Sequence, residues 1–323
     1  MKRIALVTGA GGAIGSTLVE RLLKRGYAVR ALVRDAATPA LLQGEIEILR
    51  ADINDCHGVR QAVAGADVVF HLAAKLHVNN PAENLRGEYF RVNVEGTRSL
   101  VQAARAENVK RLLFFSTINV YGNSQPGELM SEESALRPDS LYAETKIEGE
   151  RIALAEAPSV VLRVAAVYGP RMKGNYPRLV EAIRRRRLAL VGDGSNRRTL
   201  VHIDDACDAA IAASEHDDAV GQTYNVTDGR VHTLREIIRT IAIALKKRPP
   251  AMRLPARPVR LATGLLEDGL RAIGKQSPVT RGTIDKLTED IAVSGEKIQR
   301  ELGFRPRYDL QTGWEETIRH MAG

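Results

Sequence analysis

The twelve residues Ile4-Ala-Leu-Val-Thr-Gly-Ala-Gly-Gly-Ala-Ile-Gly15 decide how the rest of the chain is read. Ile4 to Thr8 is a short apolar run ending in glycines, as a strand buried on both faces does. Gly9, Gly12 and Gly15 follow in G-x-x-G-x-x-G spacing, and Leu18, Leu22 and Leu23 then recur at helical intervals up to Gly26. Glycine permits the tight turn and lets backbone N–H groups approach a pyrophosphate at a helix N-terminus. Gly9, Gly11, Gly12, Ala13, Ile14 and Gly15 are therefore candidate contacts to a dinucleotide. The spacing is weak evidence alone and becomes specific at the first strand-to-helix junction of an alternating chain.

That alternation continues. Strand patterns fall at 29–33, 46–49, 67–72, 111–116 and 159–164, with helical patterns at about 88–106 and 140–156 between them. Strands apolar on both faces, separated by helices, predict an α/β fold with a doubly wound parallel sheet of Rossmann type over residues 1–168. After Gly169-Pro170 the pattern changes to helices near 176–187 and 233–247, a strand-like 199–203 and a Pro/Arg-rich linker at 248–258. We assign 169–198 and 233–323 to a smaller α/β substrate lobe, with 199–232 returning to the first domain. At 259–273 one helix face carries Leu261, Leu265, Leu266, Leu270 and Ile273. Such a stripe fits a membrane surface or the core of the small lobe; Glu267-Asp268 interrupts the cationic face, which favours the core.

The 323 residues are 44% apolar and 27% charged, which excludes a wholly disordered chain. No apolar run reaches the length of a membrane-spanning helix, and the start does not read as a signal peptide. Cys56 and Cys207 stand far apart with no CxxC spacing, so neither a disulfide scaffold nor a metal site is expected, and a cytoplasmic location is. The net charge of +8 divides into +1 over residues 1–170 and +7 over 171–323. Clustered cations such as Arg184 to Arg187 could meet nucleic acid, but with only 4% aromatic residues there is no obvious stacking surface. Solvated helix faces, with an arginine kept for a small diphosphate, are the preferred reading.

The second strand bears on the cofactor. An acidic residue at its end would bind the ribose hydroxyls of NAD, whereas arginine suits the additional phosphate of NADP. Here Val33 is followed by Arg34 and Asp35, which favours NADP(H) over NAD(H) while leaving Asp35 able to reach a ribose. Asp52 and Ile53 after the third strand are further candidates. Tyr142 and Lys146 stand one helical turn apart on one face. The ammonium and a cationic nicotinamide would favour phenolate and lower the tyrosine pKa, making it a usable acid or base.

With Asn93-Val-Glu-Gly-Thr97, Ser116-Thr-Ile-Asn-Val-Tyr-Gly122 and Leu162-Arg-Val-Ala-Ala-Val-Tyr-Gly-Pro170 in the same order, the chain resembles the extended short-chain dehydrogenase/reductases, the NAD-dependent epimerase/dehydratase family. The resemblance covers essentially the whole chain. It implies a catalytic triad of Thr117, Tyr142 and Lys146, with Ser116 as a less favoured neighbour of Thr117, and cofactor contacts at Leu72, Ala73 and Ala74 of His71-Leu-Ala-Ala74. Tyr142 would exchange a proton with the substrate oxygen, Thr117 would hold that oxygen, and Lys146 would bind the nicotinamide ribose. It also implies a homodimer through helices 88–106 and 140–156.

Leu190 to Asp205 is similar to the sugar-nucleotide branch, which implies a nucleotide-sugar partner, UDP-sugars favoured, with Arg198 on its diphosphate and Leu190 and Val191 against the base. Asn175 and Arg178 are weaker contacts. Sugar-nucleotide dehydratases resemble Thr-Asp-Glu-Val-Tyr-Gly at the triad strand; Ile118 and Asn119 supply neither acid nor base, so dehydration is rejected. Ala166 replaces an asparagine usual in UDP-hexose 4-epimerases, and near the C-terminal end only Arg281 or Lys286 could stand for their arginine. The expected reaction is hydride transfer at C4 of a nucleotide-sugar by a reductase or dehydrogenase, with an NAD-retaining 4-epimerase as the alternative. Reduction of another carbonyl, or a non-catalytic scaffold, is less favoured.

Overall fold

The computed structural model describes residues 2–34, 44–76, 85–250, 252–272, 277 and 280–322. Asp35, Ile273 and the remaining positions lie outside the described residues.

The first strand, β1 (Ile4–Thr8), runs into α1 (Ala13–Lys24), and β2 (Ala28–Val33), β3 (Ile46–Arg50), α2 (Cys56–Val63) and β4 (Val68–His71) follow. Asp55 caps α2 by accepting a hydrogen bond from the His57 amide. The expected helix at 88–106 is composite: α3 (Arg86–Phe90), a π-helical turn at Arg91–Glu95, then α4 (Gly96–Ala106). Next come β5 (Arg111–Thr117), α5 (Leu141–Glu156) capped by the Ser140 hydroxyl, and β6 (Ser159–Val164). The second half of the chain holds β7 (Ala166–Tyr168), α6 (Asn175–Arg184), β8 (Leu190–Val191), β9 (Arg197–His202), α7 (Ile203–Glu215), β10 (Thr223–Val226) and β11 (Val231–Thr233). It closes with α8 (Leu234–Ala244), β12 (Arg253–Leu254), α9 (Ala256–Ala272), α10 (Arg281–Thr288), α11 (Glu296–Leu302) and α12 (Leu310–Ala322).

Seven strands form one sheet in the order β10-β6-β5-β4-β1-β2-β3, parallel at every pairing. Strand order reverses between β1 and β4, and ligands of such sheets bind in the crevice beyond the carboxyl ends at that reversal. Apolar layers cover both faces. Val7, Val29, Leu113 and Leu162 pack on one side, and Leu6, Val69, Leu112 and Phe114 on the other. β7, β9 and β11 make a second small sheet, and β8 pairs with β12. A third core of Tyr168, Ile183, Leu190, Ile237 and Trp314 fills the lobe, with the Tyr168 and Trp314 rings stacked at 4.7 Å.

Two features differ from the sequence reading. Ile291, Val293, Ile298 and Phe304 pack into the main-sheet core rather than the lobe, because α11 lies against the edge strand β10. The apolar stripe of α9 does not pack inward either: Leu261, Leu265 and Leu266 are 69%, 67% and 51% exposed. Leu270 of the stripe is half-buried, on a side that also carries Val259 and holds Glu267 against Arg281.

Candidate active site

The glycine turn has little freedom to be anything else. Gly9 adopts a positive φ of 69°, and a Cβ there would come within 2.8 Å of the Ala73 backbone. A Cβ on Gly15 would meet the Gly9 carbonyl oxygen at 2.2 Å, so α1 packs directly against the turn. Gly12 is the N-cap of α1 and offers no side chain, which leaves the first-turn amides available to an anion. Gly9, Gly11, Gly12, Arg34, Asp52, Ile53, Leu72, Ala73 and Ala74 line one cleft of about 290 Å³ at the strand reversal. Ala13, Ile14 and Gly15 lie in α1 behind it. Asp52 accepts hydrogen bonds from the Asn54 amide and side chain at 2.9 and 2.7 Å, and these hold its carboxyl below the usual range.

A buried polar chain braces this cleft. Thr97 Oγ1 donates to the Asn93 carbonyl at 2.7 Å, so it accepts from His71 Nε2 at 2.9 Å. His71 Nδ1 is then unprotonated and accepts from Thr8 Oγ1 at 2.8 Å, while Thr8 Oγ1 accepts from the Ala73 amide at 3.1 Å. Burial and the nearby Lys146 charge hold His71 down to about 3, so the ring stays neutral and the tautomer is fixed. The π-helical turn presents the Asn93 side chain, which binds the Lys75 amide and carbonyl and donates to Thr145 Oγ1 at 3.0 Å. The ends of β1 and β4, the α3–α4 helix and α5 are thereby pinned to one another. The sequence reading assigned no role to His71, Asn93 or Thr97, although all three lie in the segments that carried the family resemblance.

Thr117 ends β5, and its Oγ1 accepts from the Asn119 amide at 3.2 Å. Ser116 points the other way, since successive strand residues face opposite sides. Its hydroxyl donates to Glu150, which also takes a bidentate guanidinium from Arg163 (2.7 Å at Nη2), and Arg163 donates to the Tyr121 hydroxyl at 2.8 Å. Ser116 is therefore spent on an internal ion pair and is not brought together with the substrate candidates. Tyr142 and Lys146 occupy successive turns of α5, Tyr142 half-buried and Lys146 2% exposed with Nζ 4.0 Å from the Phe114 ring centroid. Burial lowers Lys146 to about 7, partly opposed by Glu150. Burial, with a smaller contribution from Tyr89, pushes Tyr142 up to about 12. The expected lowering of Tyr142 thus does not come from the protein's own groups: burial and Tyr89 both raise it.

The lobe residues are less concentrated. Arg198 lies 3.5 Å from Glu289 and acts electrostatically on the half-buried Tyr176. Val191 is half-buried on β8, while Leu190 is 7% exposed and belongs to the lobe core. Asn175 and Arg178 are exposed on α6. Arg281 is turned to Glu267 and Asp268 on α9. Leu76 and Val92, unnamed in the sequence reading, also line the cleft.

An internally braced glycine-turn cleft, together with a Tyr-x-x-x-Lys helix, defines an NAD-dependent short-chain-type enzyme. The chain belongs to the NAD dependent epimerase/dehydratase family, whose sequence model matches residues 5–227. It is 30% identical over 317 residues to a 4-hydroxy-2-methyl-3-oxo-4-farnesyl-3,4-dihydroquinoline-1-oxide ketoreductase of Stigmatella aurantiaca, covering 95% of this chain and 93% of that one. It is 31% identical over 329 residues to a UDP-glucose 4-epimerase of Vibrio cholerae, covering 98% and 95%. The structure of MoeE5 in complex with UDP-glucuronic acid and NAD superposes with a TM-score of 0.77 at 27% identity, over 98% of each chain.

Proposed function

We propose that this chain transfers hydride between NAD(P) and C4 of a nucleotide-sugar, acting as a 4-ketoreductase or dehydrogenase. The reading is supported by the position of Thr117 at the end of β5 and of Tyr142 and Lys146 on α5, which packs on β5 in the sheet that also holds the glycine cleft. The cleft fits a dinucleotide: the uncapped first turn of α1 suits its pyrophosphate, and a Cβ at Gly9 would press on the Leu72–Ala73 backbone that lines it. When bound, the reduced nicotinamide would supply the hydride, and its oxidised form would carry the positive charge. Lys146 holds the nicotinamide ribose, Thr117 fixes the substrate oxygen, and Tyr142 gives or takes its proton. Arg34 at the cleft edge favours NADP(H), which a reductase exchanges at every turnover. Arg198 meets the diphosphate in competition with Glu289. Buried Ile118 and the adjacent Asn119 offer no acid–base pair for dehydration.

The ketoreductase among the relatives supports reduction, and MoeE5 with its UDP-sugar supports the substrate class. The 31% identity to a UDP-glucose 4-epimerase supports a second reading, in which NAD is retained and hydride returns to the opposite face. Nucleotide released from the purified protein separates them: an empty site that binds NADPH supports the reductase, and stoichiometric bound NAD supports the epimerase. We further propose a homodimer through α3–α4 and α5, to be tested by light scattering.

A further inference from the structure

Helix α9 turns three of its leucines outward. Its protein-facing side carries half-buried Val259 and Leu270, Gly264 beneath the Arg281 guanidinium, and Glu267 accepting from the Arg281 amide at 3.0 Å, while Arg260, itself exposed, donates from Nη2 to Asp285 at 3.0 Å. Its outward side carries Leu261, Leu265 and Leu266, with Pro258 and Ala262 exposed among them. At 3.6 residues per turn these five positions span an arc of about 140°. A helix on a globular protein ordinarily turns such an arc to the core. Nor is this scattered along the sequence: Ile243, Met252 and Leu254 are exposed in the preceding segment, so six of the ten large exposed hydrophobics among the described residues fall between 243 and 266. An exposed apolar helix face of this kind marks an interaction site.

The charges name the partner. Lys246, Lys247, Arg248 and Arg257 are exposed and enter no ion pair among the described residues. The acidic residues of the helix are already taken, Glu267 by Arg271 and Arg281, and Asp268 by Arg281. A second copy of this chain docking on the same face would bring like cations together across the two-fold axis. An anionic lipid surface offers acyl chains to the leucines and phosphates to the cations. We propose that α9 is an interfacial helix that docks this chain on an anionic membrane surface. β12, which leads into α9, pairs with β8, the Leu190 amide donating to the Met252 carbonyl at 3.0 Å. The docked helix is thus joined to the strand of the candidate substrate lobe.

The test is sedimentation of the full chain with phosphatidylcholine vesicles, with and without phosphatidylglycerol. Binding is expected to vesicles containing phosphatidylglycerol, at least tenfold stronger than to phosphatidylcholine alone and weakened by salt. The triple variant Leu261→Ser, Leu265→Ser, Leu266→Ser should lose that binding tenfold or more while keeping its melting temperature and dinucleotide affinity. Should it fail to fold, Leu265→Cys in a Cys56→Ser background, labelled with an environment-sensitive dye, gives a second readout: its emission should shift blue on anionic vesicles. Absence of vesicle binding, binding undiminished in the folded triple variant, or an unshifted dye overturns the proposal. So does a wild-type dimer that the triple variant dissociates, because the face would then join two copies.

Discussion

Replacing Lys146 by Met should stabilise the protein while destroying activity. Burial places the Lys146 ammonium at about 7 in the folded state, against 10.5 when exposed. That difference corresponds to about 5 kcal/mol of folding free energy at roughly 1.36 kcal/mol per unit. The face of Phe114, 4.0 Å away, favours the charged form and takes up to ~2 kcal/mol off this cost, leaving about 3 to 5. The folded-state value is the depressed one, so folding favours the neutral amine. The cost is absent above pH 10.5, grows as the pH falls, and is complete below about 7. Methionine has nearly the same length and no charge to desolvate. Urea unfolding of nucleotide-free Lys146→Met and wild type at pH 6 and 9.5 should show an advantage of about 3 to 5 kcal/mol at the lower pH. By pH 9.5 it should shrink to roughly 1.4 kcal/mol. A variant less stable than wild type at pH 6, or an advantage that does not change with pH, would refute the assignment of Lys146 as a buried, desolvated amine.

Other consequences are simpler. Glu150→Gln leaves the Arg163 guanidinium without its carboxylate at a site where both side chains are under 10% exposed, and should cost about 3 kcal/mol in the same unfolding assay. Tyr142→Phe should lower turnover by about 10²- to 10⁴-fold while dinucleotide affinity, measured by fluorescence titration, stays within about twofold. Arg34→Ala should weaken NADPH binding by about tenfold and leave NADH nearly unaffected, the size expected for one charge-assisted phosphate contact; equal effects on both would remove Arg34 from the 2′-phosphate.

What could be read in the sequence follows from how local each requirement is. The glycine turn was legible because Gly9 and Gly15 answer to backbone approaches within the first strand–helix unit and the loop it touches. Tyr142 and Lys146 were legible because one helical turn sets their spacing. The choice between Ser116 and Thr117 needed the face of β5 as well as its position: Ser116 turns to Glu150, whereas the Thr117 hydroxyl caps the following turn. The protonation of Tyr142 was not legible, since it depends on burial and on Tyr89, far away in the chain. Likewise, Thr8, His71 and Thr97 meet only through the parallel register of β1 and β4. Spacing showed that α9 is amphipathic, but which side meets the protein depends on its packing with α10, across which Arg281 pairs with Glu267 and Asp268.

Following the hydride distinguishes the reductase from its alternatives. Incubating the protein with a 4-keto nucleoside-diphosphate-sugar and NADPH carrying deuterium at the transferable position should give a product one mass unit heavier, with the label at C4, and oxidised cofactor in equal amount. Tyr142→Phe should form neither. Unlabelled epimer produced from a 4-hydroxy nucleotide-sugar without consumption of added cofactor would contradict the reductase assignment, and no turnover of either substrate would contradict the nucleotide-sugar reading.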